Sequence, residues 1–280
     1  MRFSGIFAKQ FYLVFLILLV RSASAQPESD RWEYRLTPYL WLPTIDGTLK
    51  YALPPGGGGS PDISVGPTDW LDLLNFGLLL SGSAQKGKFL VFSDLVYLSM
   101  TSKDEGSVDG IRVGPEFLPI DASIVLKTRT DLDALNLTLG VGRDISRSAA
   151  ARVSVFAGIR YLGVDVSSRW DMTTVISGPD DSIVLPRQGS IGQEVHLLDG
   201  ILGFRGELGR ESRHWSLPFY FDVGAGDSEL TWNAMAGVSR RFDWGDLLIV
   251  FRHLEYDQSE SKLLQDISFS GPVVGGRFRF

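Results

Sequence analysis

The stretch Val273-Val-Gly-Gly-Arg-Phe-Arg-Phe280, VVGGRFRF, alternates Arg277 and Arg279 with Phe278 and Phe280. A period of two belongs to a β-strand, whose successive side chains point to opposite faces. Here one face carries guanidinium groups and the other carries bare aromatic rings, so the strand divides a polar compartment from an apolar one. In a soluble sandwich or lipocalin-like barrel the apolar face is the inside. In a membrane barrel it is the outside, and the rings meet lipid.

The other end of the chain bears on that choice. Arg2 and Lys9 precede the apolar run FYLVFLILLV (11–20), after which RSASAQ (21–26) places Ala23 and Ala25 in A-x-A positions. This is the layout of a secretory signal peptide cleaved after Ala25, and the apolar run is far short of the ~20 residues of a spanning helix. The expected organisation is a signal peptide over 1–25 and a single domain over 26–280. Cysteine is absent, which excludes a disulfide scaffold. Loss of residues 1–25 leaves 24 of the 27 basic side chains against 33 acidic ones, a balance of −9. Nucleic acid is therefore not an expected partner. After residue 25 no apolar run reaches spanning-helix length without charge, so any passage through a membrane is by strands.

Period two recurs along the chain. In YRLTPYLWL (34–42), Tyr34, Leu36, Leu40 and Leu42 oppose Arg35, Thr37 and Tyr39. FGLLLSGSAQK (76–86) runs into a short turn, and FLVFSDLVYLSM (89–100) returns with Phe89, Val91, Leu95 and Tyr97 opposite Asp94. A run from about 120 to 144 follows, then RVSVFAGIRYLGVDV (152–166) and EVHLLDGILGFRGEL (194–208). HWSLPFYFDVGAG (214–226) sets Trp215, Leu217, Phe219, Phe221 and Val223 against Ser216, Tyr220 and Asp222. LTWNAMAGVSRRF, LLIVFRHLEYD and DISFSGPVVGGRFRF complete ten strands. Connections after the second, fourth, sixth and eighth strands are short, whereas three of those after odd strands are long. An outer-membrane β-barrel has this asymmetry, with tight periplasmic turns, long extracellular loops and an even strand number. Trp41, Tyr97, Tyr161, Trp215, Trp232, Phe242, Trp244 and Phe280 fall near strand ends, as an interfacial aromatic girdle requires. In the first long connection, PTDWLDLLN (67–75) is expected to form one or two helical turns, capped by Thr68, with Trp70, Leu71 and Leu74 on one side. YALPPGGGGSPD (51–62) reads as a flexible loop and SGPDDS (177–182) as a solvated turn whose spacing fits no metal loop.

Gly275, Phe278 and Phe280 resemble the C-terminal signal by which outer-membrane barrels are recognised by their assembly machinery. TPYLWLPTIDGTL (37–49), DVGAGDSELTW (222–232) and RRFDWGDLLIVFRHLEYD (240–257) resemble a widespread, functionally undescribed group of proteobacterial outer-membrane β-barrel proteins. The resemblance covers the first strand and the last four well and the middle loosely. It implies a transmembrane antiparallel up-and-down barrel of about ten strands in the bacterial outer membrane, with outer-membrane lipids, lipopolysaccharide and the barrel assembly machinery as partners. It carries no catalytic residues.

If the apolar faces point outward, Asp94, Arg160, Asp199, Arg205, Asp222, Arg252, Arg277 and Arg279 point into the lumen. Buried charges must be paired and hydrogen-bonded, so they are expected to form an ion-pair lattice that fills the barrel. The sharper expectation, from five arginines against three aspartates, is a narrow arginine-biased path or a site for a small anion. Enzymatic alternatives are weaker. GDSEL (226–230) resembles the nucleophile block of a lipase family, but here it joins two strands. His253, Glu255 and Asp257, near Asp227 and Glu229, resemble the extracellular-rim acid and histidine pairs of omptin-type proteases without matching their motif. His196 and His214 are isolated. A non-enzymatic barrel without metal or cofactor is the expected function. A barrel-borne protease or lipid hydrolase and a soluble periplasmic ligand-binding barrel are the alternatives.

Overall fold

The computed structural model describes residues 31–49, 62–112, 121–148, 150–177, 182–209, 214–258 and 264–280. The expected signal peptide lies outside them, as do the glycine run of the first loop and residues 178–181 of the acidic turn. The described chain is nearly all strand: β1 (Glu33–Trp41), β2 (Thr44–Leu49), β3 (Asp62–Val65), the short helix α1 (Pro67–Leu71), β4 (Leu74–Lys86), β5 (Phe89–Arg112), β6 (Asp121–Arg147), β7 (Ala151–Ser177), β8 (Ser182–Leu208), β9 (Trp215–Gly226), β10 (Leu230–Phe242), β11 (Gly245–Asp257) and β12 (Leu264–Arg279).

These segments make ten courses around a closed antiparallel barrel. From β4 to β12 each strand pairs with the next, β1 pairs with β4, and β1 also pairs with β12 to shut the ring. β1 and β2 are one course: β1 pairs with the 273–279 part of β12 and β2 with its 264–270 part. The break falls at Leu42-Pro43, where proline has no N–H to give the ladder. Opposite the break a Cβ on Gly271 would stand 2.2 Å from the Leu42 carbonyl oxygen, so only glycine fits. β3 pairs with β2 and β4 with β1, which makes α1 an interruption in the second course. Trp70 of α1 is buried and donates its indole N–H to the Pro43 carbonyl at 2.9 Å, occupying the place where the first two courses part. The cap lies two residues earlier than Thr68: Gly66 is the N-cap, and the Asp69 carboxylate takes the Gly66 N–H at 3.1 Å.

Closure of the barrel rests on the stretch that opened the sequence. Arg35 lies opposite Arg279 and Leu36 opposite Phe278, and Tyr34 and Phe280 exchange both backbone hydrogen bonds at 3.1 and 3.0 Å. The short turns lie on the same side as this terminal seam, the periplasmic side in outer-membrane barrels. One of them is the two-residue loop Gly87-Lys88, where Gly87 takes a φ of 56°. The opposite side is uneven. β5 has 24 residues and β6, β7 and β8 have 27 each, whereas β9, β10 and β11 have 12 to 13. The length expected as two long external loops is thus mostly strand, in a wall rising above one half of the rim.

The outward faces carry an apolar belt that includes Val91, Leu139, Val141, Val155, Ile159, Leu202, Leu217, Ile249, Phe251 and Val274, all exposed. Below it lie Tyr34, Phe89, Trp215, Phe242, Trp244 and Phe278, with Arg240 stacked on Trp215 and Phe242. Above it lie Phe76, Tyr97, Tyr161 and Trp232; the two tyrosine hydroxyls find partners, Tyr97 bonding Asp133 at 3.1 Å and Tyr161 bonding His196 at 2.8 Å, while Phe76 packs on Tyr97. Phe89 to Tyr97 on β5 and Trp232 to Phe242 on β10 match the strand length that crosses a bilayer, about 9–11 residues. Trp41 is not part of either girdle. It shares the parity of Arg35, Thr37 and Tyr39, is 4% exposed, and packs inside under the guanidinium of Arg252.

Candidate functional site in the barrel interior

The fold turns the eight charged residues picked out by alternation inward, and seven of them separate into three groups, with Arg205 apart. Arg160 on β7 is fully buried and bridges three strands. It pairs with Asp222 of β9, donates to the Thr231 hydroxyl of β10 at 3.0 Å, and reaches Thr138 of β6 at 3.5 Å. Asp199 lies opposite Arg160 in register but does not pair with it: one carboxylate oxygen accepts the Ser228 N–H at 2.9 Å and holds the β9–β10 turn. The GDSEL serine is therefore a turn residue, 2% exposed, with its N–H anchored to Asp199. Arg252 on β11 forms the second group. It meets Asp94 of β5 at 2.8 Å and the Tyr39 hydroxyl of β1 at 3.2 Å, and that hydroxyl donates to Asp94 at 2.9 Å. The third group lies at the lower end: Arg277 approaches Glu207 at 3.4 Å and Asp246 at 3.6 Å, and Arg279 pairs with Asp246.

Alternation left the apolar part of the interior unread. Trp41, Val96, Leu162, Leu197, Val250, Leu254, Tyr256 and Val273 form one buried cluster drawn from opposite walls. Asn136 of β6 donates to the Tyr256 hydroxyl of β11 across the same level. The lumen is filled there. A second cluster, Leu90, Phe92, Phe156 and Ile201 with Tyr220 against it, lines the β5–β9 wall below. Space for it comes from Gly140, where a Cβ would lie 2.4 Å from the Phe92 ring.

Beneath these layers is a cavity of about 130 Å³. Its wall includes Arg35, Arg152, Arg205, Arg252 and Arg277 but only two carboxylates, Asp94 and Glu207. Four of the arginines are matched: Arg252 by Asp94, Arg277 by Glu207, Arg35 by Glu33 at 3.4 Å, and Arg152 by Asp144 at 3.7 Å. Arg205 differs. Its guanidinium stacks 4.6 Å from the Phe92 ring centroid and forms no ion pair among the described residues. At about 30 Å³ for each water in the liquid, the space suits a few waters or one small oxyanion. No group of three or more His, Asp or Glu side chains among the described residues has the geometry of a metal site.

No protein-family model and no curated protein matches the sequence. Among solved structures, the chain is similar to the outer membrane protease OmpT from Escherichia coli, with a TM-score of 0.51 at 10% identity, covering 92% of this chain and all of that one. The barrel fold is thus one that bacterial outer-membrane proteins use. The translocator domain of the autotransporter NalP from Neisseria meningitidis aligns at a TM-score of 0.30 and 12% identity, covering 98% of this chain and 96% of that one. A Pseudomonas aeruginosa FadL homologue aligns at 0.28 and 10%, covering 90% of each chain.

Proposed function

We propose that the protein resides in the bacterial outer membrane as a closed barrel whose periplasmic half binds a small anion, and that it does not conduct solutes through its lumen. The observation that carries this reading is Arg205, a cation inside the barrel that faces an arginine-rich cavity with no carboxylate of its own. A half-buried charge without a counter-ion is costly, and an anion from solution would supply one. The apolar layer above the cavity argues against the narrow-pore form of the same idea. The chemistry of the interior supports binding: among the described residues its carboxylates are held by arginines, by backbone N–H groups and by the hydroxyl and amide donors of Ser154 and Gln85.

Inorganic phosphate or sulfate, titrated against the refolded barrel in lipid vesicles, is expected to raise its unfolding midpoint in urea. An anion at a hundred times its Kd contributes about 2.7 kcal/mol. Arg205→Gln is expected to abolish that dependence while remaining folded, because the substitution removes a cation that forms no ion pair among the described residues. Planar-bilayer recordings of the wild type are expected to show no steady conductance. A stable open channel, or equal anion stabilisation in Arg205→Gln, would overturn the reading.

A further inference from the structure

The outer surface of the barrel holds a second cluster of polar side chains, separate from the interior. On β11 the outward residues are His253, Glu255 and Asp257, alternating with buried Arg252, Leu254 and Tyr256. Register places Ser270 of β12 opposite His253 and Trp232 of β10 opposite Glu255. The Ser270 hydroxyl lies 2.6 Å from His253 Nδ1, and His253 Nε2 lies 3.0 Å from Glu255 Oε2. Trp232 fixes the third member: its indole N–H donates to the same Glu255 oxygen at 3.1 Å, and its ring packs 4.3 Å from the imidazole. Hydroxyl, imidazole and carboxylate stand in one chain of hydrogen bonds, the arrangement that activates a serine for acyl transfer.

Depth in the membrane supplies the substrate class. His253 is two residues above Phe251, which is 57% exposed in the apolar belt, and the cluster sits at the level of Trp232 in the upper girdle. Girdle residues mark the boundary between acyl chains and headgroups. Fatty-acyl ester linkages lie at that boundary. A lipid whose chain runs along Phe251 and Ile249 would bring its ester carbonyl beside Ser270.

We propose that Ser270, His253 and Glu255 form an outward-facing site that hydrolyses fatty-acyl esters of outer-leaflet lipids. Ser270 Oγ bonds to the ester carbonyl carbon as its proton passes to His253 Nδ1. Glu255 accepts the Nε2–H and holds the ring as it becomes charged. Collapse of the tetrahedral intermediate breaks the ester C–O bond, and the leaving alkoxide takes the proton from His253. Water, deprotonated by His253, then bonds to the acyl carbon; the bond to Ser270 Oγ breaks, Ser270 takes the proton back from His253, and the fatty acid leaves. Ser270 and His253 are the catalytic residues, and Glu255 is a positioning residue. The site is independent of the anion cavity, so either can fail without the other.

A similar trio lies on the same outer surface, where Tyr161 bonds His196 and His196 lies 3.7 Å from Glu194, with a phenol in place of the aliphatic hydroxyl. It is a built-in control. Wild-type barrel in vesicles of either phosphatidylethanolamine or lipopolysaccharide is expected to release free fatty acid and to be labelled by a fluorophosphonate on Ser270. The lipid that is cleaved identifies the source of the ester. Ser270→Ala is expected to lower release about a thousandfold or more, as loss of a triad nucleophile does. His196→Asn should leave it unchanged. Glu255→Gln should lower it less than Ser270→Ala and displace its pH profile, which loss of a merely structural contact would not do. Folding of each variant is checked by heat-modifiable gel migration. Folded wild type that releases no fatty acid from either lipid overturns the proposal, whether or not Ser270 is labelled. Release that survives Ser270→Ala overturns it as well.

Discussion

Arg160 shows what a single buried charge costs and contributes in this barrel. It is fully buried, and its partners come from three other strands. Asp222→Leu removes its counter-charge and is expected to destabilise the barrel by about 3–5 kcal/mol in a urea titration in vesicles. Adding Arg160→Met should recover most of that loss, because the pair is replaced by apolar bulk of similar size. A double variant as unstable as the single one would show that the strain is steric. Alternation was enough to place Arg160, Asp222 and their six companions inside, because each alternates with apolar side chains on the opposite face of its strand. It was not enough for Phe92. FLVF (89–92) is apolar on both faces, so period two gives no contrast there, and only the facing Gly140 marks where a ring needs room. Trp41 was legible by parity with Tyr39, yet its place near a strand end made it look like a girdle residue. Nothing in the residue types of His253, Glu255 and Ser270 announces a trio, since Ser270 reaches His253 only through the β11–β12 register.

Individual strands behave according to what lies on each side of them. On β9, Phe221 faces outward and Asp222 inward, so charge at the two positions should act oppositely. Phe221→Arg is expected to destabilise folding in vesicles by about 2–4 kcal/mol, the cost of a cation near the bilayer midplane. If it folds as well as the wild type, inside and outside have been exchanged. This clean contrast is why the membrane-crossing lengths of the strands were legible. It fails above the girdle, where TSKDEGS (101–107) of β5 and RQGSIGQE (187–194) of β8 carry no alternation that separates them from loop. Pro186 adds to the disguise, since a proline within a run argues against a strand, although here it pairs opposite Thr173 far above the lipid. The wall is held by cross-strand polar pairs instead. Asp131 bonds Arg129 and the Thr101 hydroxyl at 2.8 Å, and the guanidinium bond holds its carboxyl below the ordinary value. The helix α1 was expected in the right place but with the wrong cap, because an aspartate three residues on can serve a glycine N–H as well as a threonine hydroxyl can.

The whole molecule depends on a seam between its two ends. Deleting Phe280 removes both backbone bonds to Tyr34 along with one exposed ring of the lower surface, and is expected to lower the fraction of heat-modifiable protein recovered in membranes. Deleting one glycine from Gly56–Gly59 should change it little. Equal recovery would show that the seam tolerates a shorter β12. The same seam sets a limit on how the barrel is made. Courses β4 to β11 join neighbours through hairpins, so each can zip onto the last over a short span of chain. The final contact joins Tyr34 to Phe280, and until it forms, β1 and β12 each present a row of unsatisfied N–H and C=O groups that hydrocarbon cannot hydrate. Insertion and closure are therefore coupled in time. A nine-tenths-formed sheet has no resting place in the bilayer, and Phe280 must be in place before β1 is safe from lipid.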